Sequence, residues 1–454
     1  MKSQSFVHIA FLLLLGLFLI CFQTNAQWIA VSYYKLIKEA SDIVIIKVVR
    51  IEGEQYGEKA ISHVERSFKG RIQSDSIELP FIYTSRLTEK NIIQSVTETM
   101  PISFEVGKRY VAFLVKWHRW NFNPHGAETE YEVLNYPKNT FFEFTDNKDP
   151  RILEVEDLLK ITYESDSNAK VDSLLLLIQS KGKETRIDAI EALVDLKAER
   201  SAEAFISVLR NDPDSTVRYS ATLGLGFIHS DSIVITLMDC LQKEKVGLVR
   251  NQIIRSLEMQ RAKKAIPMLL GLYESEGYDD RSAILTTVSA LGDSTVVPSL
   301  LHFFSIDQDL QHRHMMAQTI SFFHTPEADE FSTTLLDTTQ RYWLKTAVMA
   351  GWSESGYTKG FNQIAKWTFV PWAPGEHPSK AMAEMQGLMY PLLNAIGKLG
   401  TPEQIASTVK VYANCNDPFI RQQAVRILKE QMAKDISTKL RNEIEEEIKT
   451  FPSQ

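Results

Sequence analysis

Cysteine is nearly absent from this chain, with three in 454 residues, so no disulfide framework organises the fold. Cys21 lies in an apolar leader. Cys240 and Cys415 stand 175 positions apart, in segments that a repeat architecture keeps from touching, and both are expected to pack as small buried hydrophobes. Basic charge is not in excess either: 50 Lys and Arg against 57 Asp and Glu give a net charge of −7. That disfavours a nucleic-acid partner, since phosphate binding rests on a concentrated positive surface. No Asn-x-Ser/Thr sequon occurs, which fits a bacterial envelope better than a eukaryotic secretory route. Missing as well are G-x-S-x-G, His-Glu-x-x-His, Cys-x-x-Cys and a Walker loop. The expectation is therefore a non-enzymatic protein with no cofactor and no metal.

What is present is an ordinary folded composition, 44% hydrophobic and 24% charged. Residues 1–26 read as a secretory signal peptide: Lys2 gives a short positive start, Phe11 to Cys21 an apolar run, and Ala26 a small residue for cleavage. A lipoprotein anchor at Cys21 is disfavoured because Ile20 stands where a small residue is required. No later segment is long and apolar enough to span a bilayer. The mature chain is expected to be exported, periplasmic or extracellular, and monomeric.

Residues 27–150 read as strands. Asp42 to Arg50 is a β-branched run after a short amphipathic helix over Val31 to Ala40. Ala60 to Phe68 ends in the Lys69-Gly70 turn, and Tyr110 to Val115 opens after Gly107-Lys108. Further strands fall at Ser76 to Tyr83, Tyr131 to Leu134 and Thr140 to Phe144, enough for a small closed or half-closed barrel. The segments beginning Ser41-Asp-Ile-Val-Ile-Ile, Val64-Glu-Arg-Ser-Phe-Lys-Gly70 and Phe104-Glu-Val-Gly-Lys-Arg-Tyr resemble the bacterial branch of the netrin/TIMP-type domain, an OB-like barrel. Inhibitory members of that family chelate a protease's zinc through a mature N-terminal cysteine. Here the mature start would be Gln27-Trp28-Ile29, so the resemblance implies the fold and not that mechanism. Trp117 and Trp120 sit in an aromatic loop of this domain and are candidate contact residues. His118 and His125 lack partners at metal-ligand spacing.

Behind the strands one pattern returns. Anchor positions Arg186, Arg218, Arg250, Arg281, Arg313, Lys345, Met389 and Arg421 are spaced by 32, 32, 31, 32, 32, 44 and 32 residues. Seven residues past each stands an apolar side chain: Leu193, Leu225, Leu257, Val288, Ile320, Trp352, Ile396 and Leu428. Position six is often small, as at Ala192, Gly224, Ser256, Gly351 and Ala395, which lets a paired helix approach closely. A fixed period of this size means stacked helical pairs. Pro213-Asp-Ser-Thr-Val-Arg-Tyr-Ser-Ala-Thr-Leu-Gly-Leu-Gly226 and its counterparts over 183–435 resemble HEAT repeats of the short bacterial kind, also known from phycobilisome lyase-type proteins. No bilin site maps onto the chain. In that family the anchor arginine commonly pairs with an acidic residue to lock adjacent repeats, and the resemblance implies this role here.

The chain is thus expected to be multidomain: a small N-terminal β-barrel of OB/TIMP-like type over 27–150, a linker and capping helix over 151–182, an all-α HEAT-repeat solenoid over 183–435, and a C-terminal capping helix over 436–454. The 44-residue spacing marks an insertion near 367–383, with three prolines and a glycine between Trp367 and Pro378. Insertions in solenoids often build the binding surface. Trp352, Trp367, Phe369 and Trp372 are therefore candidate binding residues, alongside Trp117 and Trp120. His312 and His314, two apart on a helix, point apart and are not expected to share a metal. The expected function is an interaction scaffold for a protein or peptide partner. The alternatives are a protease modulator acting through the barrel, and an enzyme of unrecognised type.

Overall fold

A computed structural model describes residues 32–52, 58–70, 72, 74–81, 104–116, 131–133, 141–275, 280–339, 341–367, 380–415 and 417–451. The chain divides into two compact units, 1–229 and 230–454. The expected seam between strands and repeats, at 151–182, lies inside the first unit.

That unit opens with α1 (Tyr33–Glu39), which starts at the Ser32 N-cap. Six strands follow: β1 (Asp42–Glu52), β2 (Glu58–Lys69), β3 (Ser76–Phe81), β4 (Arg109–Lys116), β5 (Tyr131–Val133) and β6 (Phe141–Phe144). All neighbours are antiparallel, in the order β3-β2-β1-β4-β5, and β6 pairs with the β4 edge that β5 leaves open. Three register shifts between β1 and β2 bend this pair strongly. The end strands β3 and β5 come within 8 Å by their Cα atoms, yet no ladder joins them, so among the described residues the expected barrel is an open, curled sheet. Gly70 makes the tight turn after β2 at φ +82°, where a Cβ would sit 1.9 Å from an Asp42 carboxylate oxygen.

The first half of β1, Ile43 to Ile46, is apolar on both faces, and both are buried. Val44, Ile46 and Val48 join Ala60, Leu79, Phe104, Ala112 and Leu114 in a core on the concave side of the curl. Ile43 and Ile45 join Val111, Phe113, Phe142 and Phe144 in a second core, covered by α1 and by α2 (Pro150–Thr162). The span expected to be a linker thus holds α2, whose Ile152, Val155, Leu158 and Leu159 cover the sheet.

The first unit continues with α3 (Ser167–Leu177), α4 (Lys183–Asp195), α5 (Ala202–Asn211) and α6 (Ser215–Phe227). The sheet domain is seated on the first repeat. The Tyr34 amide donates to Asp188 Oδ1 at 3.0 Å, Ser32 Oγ donates to Glu191, and Lys38 pairs with Asp195 at 2.6 Å. Thr185 of α4 donates to Glu154 of α2. Burial pushes the Asp188 carboxyl well above its ordinary range, and it raises Glu191 and Glu154 in the same direction.

The second unit holds α7 (Asp231–Lys243), α8 (Gly247–Met259), α9 (Ile266–Glu274), α10 (Arg281–Leu291), α11 (Val297–Ile306), α12 (Leu310–Phe322), α13 (Pro326–Thr338), α14 (Tyr342–Ser355), α15 (Phe361–Ala365), α16 (Lys380–Leu399), α17 (Pro402–Val409), α18 (Pro418–Met432) and α19 (Thr438–Thr450). The last of these, α19, buries Leu440 and Ile444.

In both units the period has one physical content. All eight position-seven side chains are at most 1% exposed. The small residues at position six mark close crossings: a Cβ on Gly224 would lie 2.6 Å from the Phe205 ring, and one on Gly351 would lie 2.3 Å from the Gln318 carbonyl oxygen.

The anchor cations act through the backbone. Each reaches carbonyl groups where the preceding helix ends: Arg186 to Ser180 and Lys181, Arg218 to Asp212 and Pro213, Arg250 to Lys245, Arg281 to Tyr273, Arg313 to Asp307, Lys345 to Leu336 and Arg421 to Cys415. Tyr273 and Leu336 belong to the last turns of their helices, where carbonyls lack intrahelical donors, and the other acceptors lie in the turns that follow. The acidic pairing expected of the anchors is found at Arg186, which grips Asp212 with two nitrogens at 2.7 and 2.9 Å, and at Arg250 with Asp280. Met389 has no charge to place and is fully buried.

Cys240 and Cys415 are buried, and neither is in a disulfide. Among the described residues no helix is long and apolar enough to cross a membrane.

Candidate functional site

Residues flanking the anchors, from two before to one after, meet across neighbouring repeats of the second unit. The anchor fixes the start of its helix against the preceding one. The residue just after it therefore faces the residues just before the next anchor, about 30 positions on. Among the described residues three such pairs are seen. Ser282 faces His312, His314 stacks on Trp343 with ring centroids 6.4 Å apart, and Tyr390 lies beside Phe419 at 6.2 Å. Arg341 adds its guanidinium over the Trp343 ring at 5.8 Å. Burial lowers the His314 pKa, so that imidazole is neutral at neutral pH. Tyr390 and Phe419 are 48% and 47% exposed, which makes this pair a surface feature rather than core.

The first pair belongs to a longer polar chain. Ser282 Oγ lies 3.1 Å from His312 Nε2, and His312 Nδ1 lies 3.0 Å from Asp307 Oδ2. Tyr273 donates its hydroxyl to the same oxygen, while the Asp309 amide donates to Oδ1 at 2.8 Å. Burial works against the Asp307 carboxylate, but hydrogen bonds from Tyr273, the Asp309 amide and His312 outweigh it and hold the carboxyl below its ordinary range. An ionised carboxylate only accepts. His312 Nδ1 therefore donates to Asp307, and Nε2 is the nitrogen that faces the Ser282 hydroxyl. Asp307 and His312 are largely enclosed, at 6% and 16% side-chain exposure, and Ser282 is half-buried.

Of the expected binding residues, Trp352 and Trp367 lie among the described residues, and neither belongs to these pairs. Trp352 is 1% exposed and packs among Val348, Phe361, Leu399 and Ile405, so it is a member of the position-seven core ladder and not of a surface. Trp367 is half-buried against the same core. The Lys345 ammonium sits 3.1 Å from the Trp367 ring centroid and donates to the Leu336 carbonyl at 2.7 Å, a cation–π contact that pins the root of the insertion. Phe369, Trp372, Trp117 and Trp120, like His118 and His125, lie outside the described residues. The added length is not all loop: Lys380 to Leu388 extends α16 upstream of its anchor, and Pro391 stands inside that helix.

Ser282, Asp307 and Tyr273 were not singled out from the sequence. They are spread over 34 residues and share no local motif. The signal that could have found them is register: Ser282 is one after an anchor, and His312 is one before the next.

A family model described as HEAT repeats matches residues 171–258 and 202–288. The chain carries HEAT repeats, and such repeats support a protein-interaction scaffold as a general role. No curated protein matches the sequence. Among solved structures, the complex of CpcE and CpcF of phycocyanin lyase from Nostoc sp. PCC7120 is similar at 16% identity and a TM-score of 0.32, over 64% of this chain and 97% of that one. YibA of E. coli is similar at 14% identity and a TM-score of 0.35, over 68% of this chain and 99% of that one.

Proposed function

We propose that the protein is an exported scaffold that docks a protein or peptide partner along the line of residues flanking its anchors. The observation carrying this is the Tyr390–Phe419 pair, two large rings nearly half exposed and in contact across neighbouring repeats. Exposed aromatic pairs on rigid helices lose little entropy when a partner covers them, and they are enriched at binding hot spots. Export rests on the signal-like pattern of residues 1–26. The sheet domain is read as an OB-type, netrin/TIMP-like module. Its strand order, with end strands facing each other, supports that reading, as do the three segments that resemble the family.

The test places a photo-crosslinking residue at position 390 and, as control, at the exposed Asn362, in cells of the source organism. A discrete adduct at position 390, lost on Phe419→Ala and absent from position 362, is the expected result. Equal patterns at both positions, or no adduct at 390, would overturn the siting.

A further inference from the structure

We infer that Ser282 is an activated nucleophile, with His312 as its general base and Asp307 as the residue orienting that base, and that it accepts acyl groups from small carboxylic esters. This goes beyond the docking role, uses other residues, and departs from the expectation of a chain without catalytic chemistry. Three observations carry it. The hydroxyl, both ring nitrogens and the carboxylate form one chain, at 3.1 and 3.0 Å, with each contact inside hydrogen-bond range. Asp307 is over-supported for a mere helix-end residue: a tyrosine hydroxyl and a backbone amide hold it in place, and it in turn fixes the imidazole tautomer. Ser282 also lies in the first turn of α10, whose terminal N–H groups and dipole favour negative charge developing beside the hydroxyl.

The chemistry balances with no reagent beyond water. Ser282 Oγ attacks the ester carbonyl carbon while its proton passes to His312 Nε2, forming an Oγ–C bond and placing negative charge on the carbonyl oxygen. Collapse of that intermediate breaks the C–O bond to the alcohol, which leaves with the proton from Nε2. Water then attacks the acyl-serine, giving its proton to His312. The acyl carbon–Oγ bond then breaks, Oγ takes the proton back from His312 Nε2, and the carboxylic acid leaves.

The experiment treats the full-length protein with a fluorophosphonate, which phosphonylates activated serines, and maps the adduct by peptide mass spectrometry. The expected result is a single adduct on Ser282, absent from Ser282→Ala and formed at least about a hundredfold more slowly by His312→Gln. Each variant is checked for an unchanged thermal unfolding midpoint. Should His312→Gln fail to fold, Ser282→Cys gives a second reading: a thiol beside a working base is alkylated by iodoacetamide at a rate that stays high well below the ordinary thiol pKa. Wild-type labelling no faster than that of Ser282→Ala overturns the inference. So does an adduct elsewhere, or a thiol in the Ser282→Cys variant that titrates as an ordinary one.

Discussion

The backbone N–H of Tyr34 donates to the Asp188 carboxylate at 3.0 Å, tying the helix in front of the sheet to the first full repeat helix. Asp188 is 1% exposed, and its second oxygen has no hydrogen-bond partner. Burial raises it, Glu191 and Glu154 alike, and the three lie along one seam between α1, α2 and α4. Above the ordinary carboxyl range the folded chain therefore holds more protons here than the unfolded chain. Stability from this seam is present in acid and is lost as pH rises through the raised values. Asp188→Asn, which mimics the protonated carboxyl, is expected to flatten that slope in urea unfolding followed from about pH 5 to about pH 8. Asp188→Ala leaves the Tyr34 amide unpaired and is expected to cost about 1–3 kcal/mol. Parallel slopes for wild type and Asp188→Asn would refute the assignment.

Arg186 and Asp212 are 11% and 7% exposed, and the guanidinium also holds two carbonyls at the end of α3. Arg186→Met strips a nearly buried carboxylate of its partner, an effect of about 3–5 kcal/mol in denaturant unfolding. Replacing both members by apolar residues of similar volume is expected to restore much of that loss. A double variant no better than the single one would show that the carbonyl contacts, not the ion pair, dominate.

Two glycines should respond with opposite sign. Gly351 has the Gln318 carbonyl oxygen 2.3 Å from where a Cβ would go, whereas nothing lies within 4 Å of that position at Gly271. Gly351→Ala must push α12 and α14 apart and is expected to cost about 1–3 kcal/mol. Gly271→Ala, on an open face of α9, is expected to stabilise by about 0.5–1 kcal/mol. Thermal unfolding of the two variants decides the matter, and a shift of the same sign in both would contradict the packing.

Trp352 packs on Gly360 and buries an indole N–H without a hydrogen-bond partner. Trp352→Ala is expected to lose about 3–5 kcal/mol through the cavity it leaves. Trp352→Phe sheds the unpaired N–H along with some volume, so its loss should be well under that of alanine. Unfolding midpoints that fail to separate the two substitutions would return Trp352 to the surface residues.

The repeat array was legible because the position-seven side chains, Leu193 through Leu428, obey one period that only stacking explains. The same ladder includes Trp352. Read by period it was already core, and only its place in a run of tryptophans suggested a surface. Helix α2 was not legible as part of the sheet domain, since Ile152, Val155, Leu158 and Leu159 answer to the sheet's outer face and not to the 32-residue beat. The Ser282–His312–Asp307 chain escaped for a different reason. Ser282 meets His312 across repeats, 30 positions apart, so a search for motifs along the sequence could not bring the chain together, whereas comparing the flanks of successive anchors could.

The anchor cations read the end of the preceding helix through its backbone carbonyls, which every sequence possesses. A junction closed in this way is indifferent to the identity of the block before it. Duplicating or deleting one 32-residue block would leave a satisfied joint on either side, so the length of such an array is free to drift by whole units. The block led by Met389 is the exception, because its anchor carries no charge with which to close such a joint.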